Sequence, residues 1–315
     1  MSTVSVVMAT YNGEKYIFEQ LESLRKQTIS IDEVIICDDC SKDNTVKVIE
    51  EYIANYDLHN WYIFKNKKNY GYAKNFIEAT KKATKDIIFW CDQDDIWNED
   101  KIKKMMYIID TNEKINLLCS NLKLFYCEQN ARKWDKKDLL SMSETGEIEH
   151  IAMSEKNFFL QRSGCTMCFR NVFFKDICKY WIDGWGHDDF IWKFAILTNS
   201  CSILQSYTMQ RRMHSNNASS IFVRTKEWRI NQLKDLRRQD KILYDFSKKH
   251  IKDKQFLICI KKNLECIEYR LRVIEQKKFC YLIKLITKYR KCYPRYKTFL
   301  LDIYVTIFEK YEGVN

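Results

Sequence analysis

Strand and helix patterns alternate through the first third of the sequence, and this alternation limits the possible folds more than any other feature. TVSVVMAT, EVIICDD, WYIFKN and DIIFWCDQDD are apolar runs rich in β-branched or aromatic residues, typical of strands buried on both faces. Each is followed by a segment in which apolar residues recur every three or four positions, as in an amphipathic helix. Repeated strand–helix units predict a parallel sheet that binds ligands at the carboxyl ends of its strands.

Polar side chains follow three of these strands at the points where the strands end. In chain order they are Thr10 to Asn12 after the first strand, Asp38 and Asp39 after the second, and Asp92, Asp94 and Asp95 after the fourth. Because the carboxyl ends of parallel strands meet at one edge of a sheet, we expect these groups to converge on one crevice.

Three carboxylates lie within four residues of the segment CDQDDIW, and such a group needs a counter-charge. Carboxylate oxygens are preferred ligands of Mg²⁺ and Mn²⁺, which complete their shells with water and substrate phosphates. The segment therefore predicts a metal–phosphate site. The alternative is that Asp94 or Asp95 caps a helix beginning near Asn98 while the other acids are solvated.

A series of seven motifs resembles a known enzyme family. SVVMATYNGEKYI, VIICDDCSKDNT, NYGYAKN and FWCDQDDIW resemble, in this order, the nucleotide-sugar-binding half of family 2 glycosyltransferases. SGCTMCF, GHDDFIW and QRRMHSNNAS resemble the acceptor-side elements of the bacterial rhamnosyltransferase-like branch, so the resemblance covers about residues 3–220. It implies the α/β GT-A fold, a Rossmann-like nucleotide-binding sheet with helices on both faces, followed here by a C-terminal α-helical region.

The resemblance also implies roles for individual residues. Asp92, Asp94 and His214 would hold Mg²⁺ or Mn²⁺, with Asp92 and Asp94 forming the DxD-type motif. The other expected contacts are to the nucleotide sugar. Ala9, Thr10 and Tyr11 would line the nucleotide pocket, Asp39 would contact the base, and Gly71 and Lys74 would lie in the loop over the base. Gln93, Asp95 and Trp97 would surround the DxD motif with Asp92, and Arg211 and Arg212 would contact the phosphates.

The acceptor side of the expected site contains two neighbouring acids. Asp188 matches the family's catalytic base, but the sequence is His187-Asp188-Asp189 where an aromatic residue more commonly follows the acid, so Asp188 and Asp189 are both candidates. The alternative is that they cap the helix DFIWKFAIL. A carboxylate here would take the acceptor hydroxyl proton while a metal neutralises the leaving diphosphate, and a single displacement would invert the anomeric centre.

Positive charge is concentrated in the last third of the chain. The formal net charge is +11, and residues 221–315 contain 24 Lys and Arg against 11 Asp and Glu. We therefore divide the chain into a catalytic domain, residues 1–222, and a basic amphipathic helical region, residues 223–315. Cationic helices with aromatic and aliphatic residues favour an anionic membrane surface as partner. The alternative is a helical bundle packed on the catalytic domain; no nucleic-acid-binding motif is present, so nucleic acid is not an expected partner.

Thirteen cysteines and an N-terminus without a signal-peptide pattern predict free thiols in a reducing cytoplasm. Cys37/Cys40 and Cys165/Cys168 have the CxxC spacing of zinc sites, but their apolar surroundings favour buried thiols. No apolar run approaches the ~18 residues of a membrane-spanning helix.

The sequence as a whole predicts an inverting, metal-dependent glycosyltransferase peripheral to the inner face of the cell membrane. The expected donor is dTDP-rhamnose or a UDP-hexose, and the expected acceptor is a lipid-linked or polysaccharide glycan of the cell surface. One alternative is a non-catalytic glycan- or membrane-binding protein that retains the fold. Another is a sugar-phosphate nucleotidyltransferase, although ATYNGEKY lacks the glycine-rich loop and basic residue of that class.

Overall fold

The computed structural model describes residues 2–129, 131, 133, 142–160, 162–215, 223–251, 254–293, 295–308 and 310–312. The chain forms two compact units, one of residues 1–152 and 161–215 and the other of residues 153–160 and 216–315. Each unit is described by itself. The division of function between residues 1–222 and 223–315 stays a prediction.

The first unit is built on a mixed sheet of nine strands among the described residues. The strands are β1 (Val4–Thr10), β2 (Glu33–Asp38), β3 (Trp61–Lys65), β4 (Ile87–Asp92), β5 (Ile96–Trp97), β6 (Leu117–Tyr126), β7 (Ile148–His150), β8 (Met167–Arg170) and β9 (Cys201–Met213). Their spatial order is β3-β2-β1-β4-β8-β6-β9-β5, and β7 pairs with β9.

Strands β1 to β4 form the parallel half of the sheet and confirm the predicted strand–helix units. In their register Ala9 lies beside Asp92 and Thr10 lies beside Asp38. The polar groups that follow these strands therefore start at the same sheet edge. Parallel strands covered on both faces need apolar side chains throughout, which explains the β-branched runs.

The other half of the sheet carries the acceptor-side motifs. The alternating apolar and polar residues of INLLCSNLKLFY predict further strands in mixed or antiparallel pairing, and the pairing is mixed. Strand β8 runs antiparallel to β4 and β6, whereas β9 runs parallel to β6. The two-residue strand β5 follows the acids of CDQDDIW and pairs antiparallel with β9, with Ile96 opposite Gln210. This short pairing was not predicted, and it lays the acidic loop against the end of β9.

Helices flank the sheet and bury their apolar sides in its core. In the first unit they are α1 (Ile17–Arg25), α2 (Thr45–Asn55), α3 (Tyr72–Thr80), α4 (Lys101–Thr111), α6 (Asn171–Ile177) and α7 (His187–Leu197). The core contains Leu21 of α1, Ile49 of α2 and Met105 of α4, packed on β1, β2 and β4. The alternating apolar and polar residues of EKNFFLQRSGCTMCFRN predict a strand, but its first part, EKNFF, is helix α5 (Glu155–Phe159) of the second unit. Short apolar runs do not distinguish strand from helix.

The second unit is mainly helical, as predicted. Its remaining helices are α8 (Lys226–His250), α9 (Lys254–Gln276), α10 (Tyr281–Thr287) and α11 (Tyr296–Phe308). Thr225 accepts a hydrogen bond from Trp228 N and caps the start of α8. A two-stranded antiparallel pair, β10 (Val223–Thr225) and β11 (Lys310–Glu312), was not predicted, because the helical pattern was extended to the chain end.

Buried polar contacts and apolar packing hold the second unit together. Asp302 of α11 accepts hydrogen bonds from Arg229 and Arg270 at 2.7 Å each, and all three side chains are buried.

In the part of the chain that the structure describes, no helix combines the length and apolar character needed to cross a membrane.

Candidate active site

Hydrogen bonds connect the ends of β1, β2 and β4. Thr10 Oγ1 donates to Asp38 Oδ1 at 3.0 Å, and Asp39 N donates to Thr10 O at 2.8 Å. Tyr11 and Gln93 form two reciprocal bonds, from Tyr11 N to Gln93 Oε1 at 2.9 Å and from Gln93 Nε2 to Tyr11 O at 3.0 Å. The polar groups expected to converge are thus brought to one crevice.

The Asp39 carboxylate organises the loop that leads into α3. Its oxygens accept hydrogen bonds from Tyr70 N, Gly71 N and Asn66 Nδ2, each at 2.8 Å. Gly71 has φ +81°, a left-handed conformation that side chains rarely adopt, and directly precedes α3. Asp39 therefore fixes the loop expected to lie over the nucleotide base.

The acids of CDQDDIW do not cap a helix, so that alternative is excluded for α4. The residue before α4 is Asp100, and it makes no side-chain capping bond. Asp94 Oδ2 instead lies 2.8 Å from His214 Nε2, in the segment after β9. Both side chains are largely buried. The expected metal ligands Asp94 and His214 are therefore in contact.

Two acids of the same loop form a second group of possible metal ligands with a cysteine thiol. Ligand atoms of Asp92, Asp95 and Cys165 lie within 4.8 Å of one another. Asp95 Oδ1 accepts from Arg212 N at 3.1 Å, whereas Asp95 Oδ2 is buried without a hydrogen-bond partner. Burial, together with the charges of Asp94 and Asp92, raises the pKa of Asp95 well above its usual range.

The same desolvation acts on Asp92, and a cation partly offsets it. Burial raises the pKa of Asp92, the Arg211 guanidinium lowers it, and the nearby charge of Asp94 raises it further. Arg211 is held by a hydrogen bond from Nη1 to Ser163 Oγ at 2.7 Å. Burying these carboxylates close together therefore costs free energy in the free protein, through desolvation and mutual repulsion. A bound cation would reduce this cost.

A fully buried lysine lies behind the acids. Lys101 Nζ donates to Cys165 O at 2.6 Å and lies 3.8 Å from the centre of the Trp97 ring. Burial lowers the pKa of Lys101 to about 8. Lys101 thus anchors the chain beside the thiol that faces Asp92 and Asp95.

The two candidate bases lie in the first turn of α7 and have different surroundings. Asp189 Oδ2 accepts from Trp185 Nε1 at 2.8 Å and lies 3.2 Å from the buried Lys193 ammonium. Asp188 Oδ1 accepts from Asp189 N at 2.9 Å. Acids in the first turn also interact favourably with the helix dipole. Asp189 is therefore engaged in holding α7.

A short 3₁₀ turn, Gly164–Thr166, lies beside both the donor-side acids and Asp188. A Cβ built on Gly164 would lie 2.6 Å from His187 Nε2 and 3.6 Å from Asp188 Cβ, so only glycine fits without a shift. The next residue, Cys165, is the one grouped with Asp92 and Asp95. The acidic loop and the first turn of α7 therefore lie on either side of one turn.

His187 occupies an apolar position in this arrangement. Its ring stacks on Phe76, with centroids 4.2 Å apart, and neither ring nitrogen has a hydrogen-bond partner. Burial lowers the pKa of His187 to about 4, against the opposing effect of Asp92. The imidazole is therefore neutral at physiological pH.

Five of the expected donor-contact residues lie behind the surface of the site. Thr10 is 1% exposed and Asp39 is 2% exposed. Trp97 is 2% exposed and belongs to the core, and Asp95 is 1% exposed. The Arg212 guanidinium donates to Glu19 Oε2 at 2.7 Å and to Asp94 O at 2.9 Å. Trp97 packs there because β5 points its ring inward, and Arg212 braces the acidic loop. Ala9, Tyr11, Gly71 and Lys74 retain partial or full exposure.

A cavity of about 460 Å³ lies between the loop before α3 and the loop before α7. Tyr70, Tyr72 and Trp181 line it. The Lys74 ammonium bridges the two loops by pairing with Asp183 at 2.9 Å. The pKa of Tyr72 is raised by desolvation of its hydroxyl and by the negative charges of Asp188 and Asp92. Tyr72 is therefore within electrostatic reach of both the donor-side and the acceptor-side acids.

Sequence patterns alone did not predict the positions of Lys101 and His187 beside the site. Lys101 occupies the apolar face of α4, at i, i+4 and i+7 with Met105 and Ile108, and this periodicity was the available signal. Cys165 was considered with Cys168 as a CxxC zinc pair and then interpreted as a buried thiol, without a connection to Asp92 and Asp95. Nothing in the sequence alone distinguishes His187 from a surface histidine.

Comparison with known proteins agrees with this geometry. Residues 5–176 match the family model described as Glycosyl transferase family 2. The chain belongs to glycosyltransferase family 2. The glycosyltransferase is 30% identical over 223 residues to the dTDP-rhamnosyl transferase RfbG of Shigella flexneri, which is 67% of this chain and 72% of the relative.

Solved structures show the same GT-A fold at low sequence identity. Residues 1–349 of S. aureus TarS in complex with UDP-GlcNAc give a TM-score of 0.62 at 21% identity, over 90% of the glycosyltransferase and 86% of that TarS fragment. The mannosyltransferase PcManGT of Pyrobaculum calidifontis, in complex with GDP-Man and Mn²⁺, gives 0.56 at 14% identity, over 96% and 87% of the two chains. These structures share the fold, and membership of glycosyltransferase family 2 shows that the enzyme transfers a sugar from a nucleotide-sugar donor.

Proposed function

We propose that the enzyme transfers the donor sugar in a single displacement that inverts the configuration at its anomeric carbon, with Asp188 as the catalytic base. The observation that carries this proposal is the turn at Gly164, which lies between the acids of CDQDDIW and the first turn of α7. A donor held at the acids would have its anomeric carbon facing Asp188. Asp189 is bonded to Trp185 and Lys193 and positions the helix.

The donor-binding residues of this proposal follow the strand ends. Ala9 and Tyr11 line the nucleotide pocket, and the buried Thr10 between them supports it through its bond to Asp38. Asp39, Gly71 and Lys74 organise and form the loop over the base. Gln93 connects the pocket to the acids through its two bonds with Tyr11. Arg211 supplies positive charge for the diphosphate, while Asp95, Trp97 and Arg212 support the loop from behind.

A divalent cation, Mg²⁺ or Mn²⁺, fits the residues present. Asp95 Oδ2 is buried without a partner, and the carboxylates of the loop are hard oxygen ligands. Asp92, Asp94 and His214 would hold the ion, with His214 orienting Asp94 through their 2.8 Å contact and Asp95 Oδ2 as a further oxygen beside Asp92. When bound, it neutralises the charge that develops on the leaving diphosphate.

The donor in this proposal is dTDP-rhamnose or a UDP-hexose. The relative RfbG is named a dTDP-rhamnosyl transferase, and TarS binds UDP-GlcNAc. Both nucleotides have a pyrimidine base.

The acceptor occupies the cavity between the loops before α3 and α7. The aromatic rings of Tyr70, Tyr72 and Trp181 offer apolar faces to a sugar ring, and the pair Lys74–Asp183 offers polar contacts to its hydroxyls. The acceptor is a lipid-linked or polysaccharide glycan of the cell surface, and the enzyme works on the inner face of the cell membrane.

Calorimetric titration of UDP and dTDP, each with and without Mn²⁺, tests the donor site. We expect one of them to bind in a metal-dependent way, and we expect Asp94→Ala to abolish the metal dependence. Exposed Asp176→Asn on α6 is the matched control and should bind like the parent enzyme. Equal binding with and without Mn²⁺ would exclude the metal assignment. A product with retained anomeric configuration would exclude the single displacement.

A further inference from the structure

The segment from Lys277 to Leu301 has a charge composition unlike that of the rest of the second unit. It contains eight Lys or Arg and no Asp or Glu. All eight basic side chains are exposed. They are Lys277, Lys278, Lys284, Lys288, Arg290, Lys291, Arg295 and Lys297. Much of the positive charge of the last third is thus displayed on one short stretch.

Helix α11, which overlaps this stretch, exposes large apolar residues. Its buried residues are Phe299, Val305, Thr306 and Asp302, the acid that pairs with Arg229 and Arg270. Its exposed large residues are Tyr296, Leu300, Tyr304, Ile307 and Phe308, at spacings of i, i+4, i+8, i+11 and i+12. This spacing forms a single stripe along the helix. An exposed apolar stripe of this kind indicates a surface that contacts a partner or lipid.

The segment around α10 repeats this pairing of apolar and basic residues. Phe279, Ile283 and Ile286 are exposed, and Ile283 is 70% exposed, whereas Leu285 on the same helix is buried. Lys284 and Lys288 flank the exposed residues. We call the exposed apolar residues of α10 and α11, with Phe279 and the eight basic residues, the basic–apolar patch.

The longer helices α8 and α9 expose fewer large apolar residues. Several of their basic residues pair with acids of the same unit, as Lys234 does with Glu275 at 2.8 Å and Arg237 with Glu268 at 3.0 Å, and Lys288 next to α10 likewise lies 3.5 Å from Glu265. Their exposed large aliphatic residue is Ile258, which stands outside the basic–apolar patch. Their charge is therefore partly balanced, and their exposed side chains are mostly polar.

We propose that the basic–apolar patch binds the surface of an anionic phospholipid bilayer. Exposed aliphatic side chains gain free energy by entering the headgroup–acyl boundary, and the surrounding Lys and Arg are attracted to anionic headgroups. This proposal rests on the proposed function in one respect, that the acceptor glycan is presented at a membrane. It assigns membrane binding to α10 and α11 rather than to the whole basic region.

Vesicle co-sedimentation of the full chain tests the assignment. We expect binding to vesicles of equal parts phosphatidylcholine and phosphatidylglycerol, weakened by salt, and little binding to phosphatidylcholine alone. Ile283→Asn combined with Ile307→Asn should lower the partition at least about tenfold, because two exposed side chains lose their apolar burial. Ile258→Asn, an equally exposed isoleucine on α9, is the matched control and should bind like the parent enzyme.

A charge series makes the test independent of the apolar substitutions. Lys284→Gln with Lys297→Gln should lower the partition about fivefold per cation, because each Lys near an anionic surface contributes roughly that factor. Lys248→Gln with Lys249→Gln, at the exposed end of α8, should change it less. These exposed substitutions leave the core unchanged, and circular dichroism checks each variant's folding.

Three results would overturn the proposal. The first is failure of the parent enzyme to bind the anionic vesicles. The second is an equal loss of vesicle binding in the patch variants and the control variants. The third is a parent-enzyme dimer that Ile283→Asn dissociates, because the patch would then be an interface between two copies of the chain. Nucleotide binding and transfer to a short soluble acceptor are measured in parallel. Vesicle binding without transfer would contradict the proposed function alone, and transfer without vesicle binding would contradict the patch alone.

Discussion

His214 Nε2 lies 2.8 Å from Asp94 Oδ2, although 120 positions separate the two residues in the chain. The imidazole also packs at 4.8 Å against the ring of Tyr16 and is 5% exposed. The contact orients the carboxylate that would hold the metal. Partners of this kind affect metal affinity even when they are not ligands themselves.

His214→Ala should weaken Mn²⁺ affinity about 10- to 100-fold in the presence of UDP or dTDP. The reason is that the Asp94 carboxylate loses its fixed orientation and the ion loses a nearby imidazole. Titration of Mn²⁺ by calorimetry measures the effect. His150→Ala is the control, since His150 is exposed and bonds Asn199 in another part of the sheet. An unchanged Mn²⁺ affinity in His214→Ala would remove His214 from the metal site.

Asp188→Asn and Asp189→Asn should separate the base from the residue that positions it. Asp188→Asn should keep donor binding and lower the transfer rate about 10²- to 10⁴-fold, because a general base is lost. Asp189→Asn should keep most of the transfer rate and lower stability, since the partners of Asp189 are Trp185 and the buried Lys193. Single-turnover rates and thermal melts of both variants measure this, and the reverse pattern would make Asp189 the base.

Gly164→Ala should destabilise the enzyme by about 1–3 kcal/mol, because its Cβ would lie 2.6 Å from His187 Nε2. Transfer should fall further than nucleotide binding, since the turn lies between the acidic loop and Asp188. Adding His187→Ala makes room for the methyl group and should recover part of the lost stability. A double-mutant cycle in denaturant measures the coupling, and additive effects would show that the two residues do not clash.

Asp95→Asn should stabilise the metal-free enzyme at pH 7 by about 1–3 kcal/mol, because it removes a buried charged group with an unpartnered oxygen. The pKa of Asp95 in the folded state is raised, so ionisation opposes folding. The destabilisation is absent below the unfolded-state pKa of about 3.9 and grows as pH rises toward the folded-state value. The gain from Asp95→Asn should therefore disappear near pH 4.

Thermal melts across this pH range, with and without Mn²⁺ and nucleotide, check the Asp95 prediction. A bound cation compensates the charge, so the ligands should reduce the difference between Asp95→Asn and the parent enzyme. The surface variant Asp176→Asn should change stability by less than about 0.5 kcal/mol at every pH. A variant less stable than the parent at pH 7 without metal would contradict the reasoning.

The parallel half of the fold could be predicted from sequence because its strands are continuous β-branched runs and its helices are periodic. The convergence of Thr10, Asp39 and Asp92 then follows from the geometry of parallel strands. The motif resemblance extended this reasoning to Asp94, Asp188 and His214, which local patterns alone do not connect.

Other features depend on tertiary contacts that leave little local trace. The two-residue strand β5 forms only because β9 lies beside it. Lys101 is buried because a carbonyl and an aromatic ring receive its ammonium, and lysine on a helix otherwise indicates a surface. Trp97 and Arg212 lie behind the site because of the same packing. The pair β10–β11 joins segments at opposite ends of the second unit.

The contact between Arg212 N and Asp95 Oδ1 spans 117 positions, so the acidic loop gains this support only after most of the catalytic chain exists. At roughly 5–20 residues per second, a ribosome needs on the order of 6–23 s to synthesise the intervening chain. During that interval the strand ends of β1, β2 and β4 can assemble, but the acids lack the backbone donor supplied by β9. A nascent chain released before β9 is synthesised would thus have the strand ends of the proposed nucleotide pocket, but its acidic loop would lack the support of Arg212.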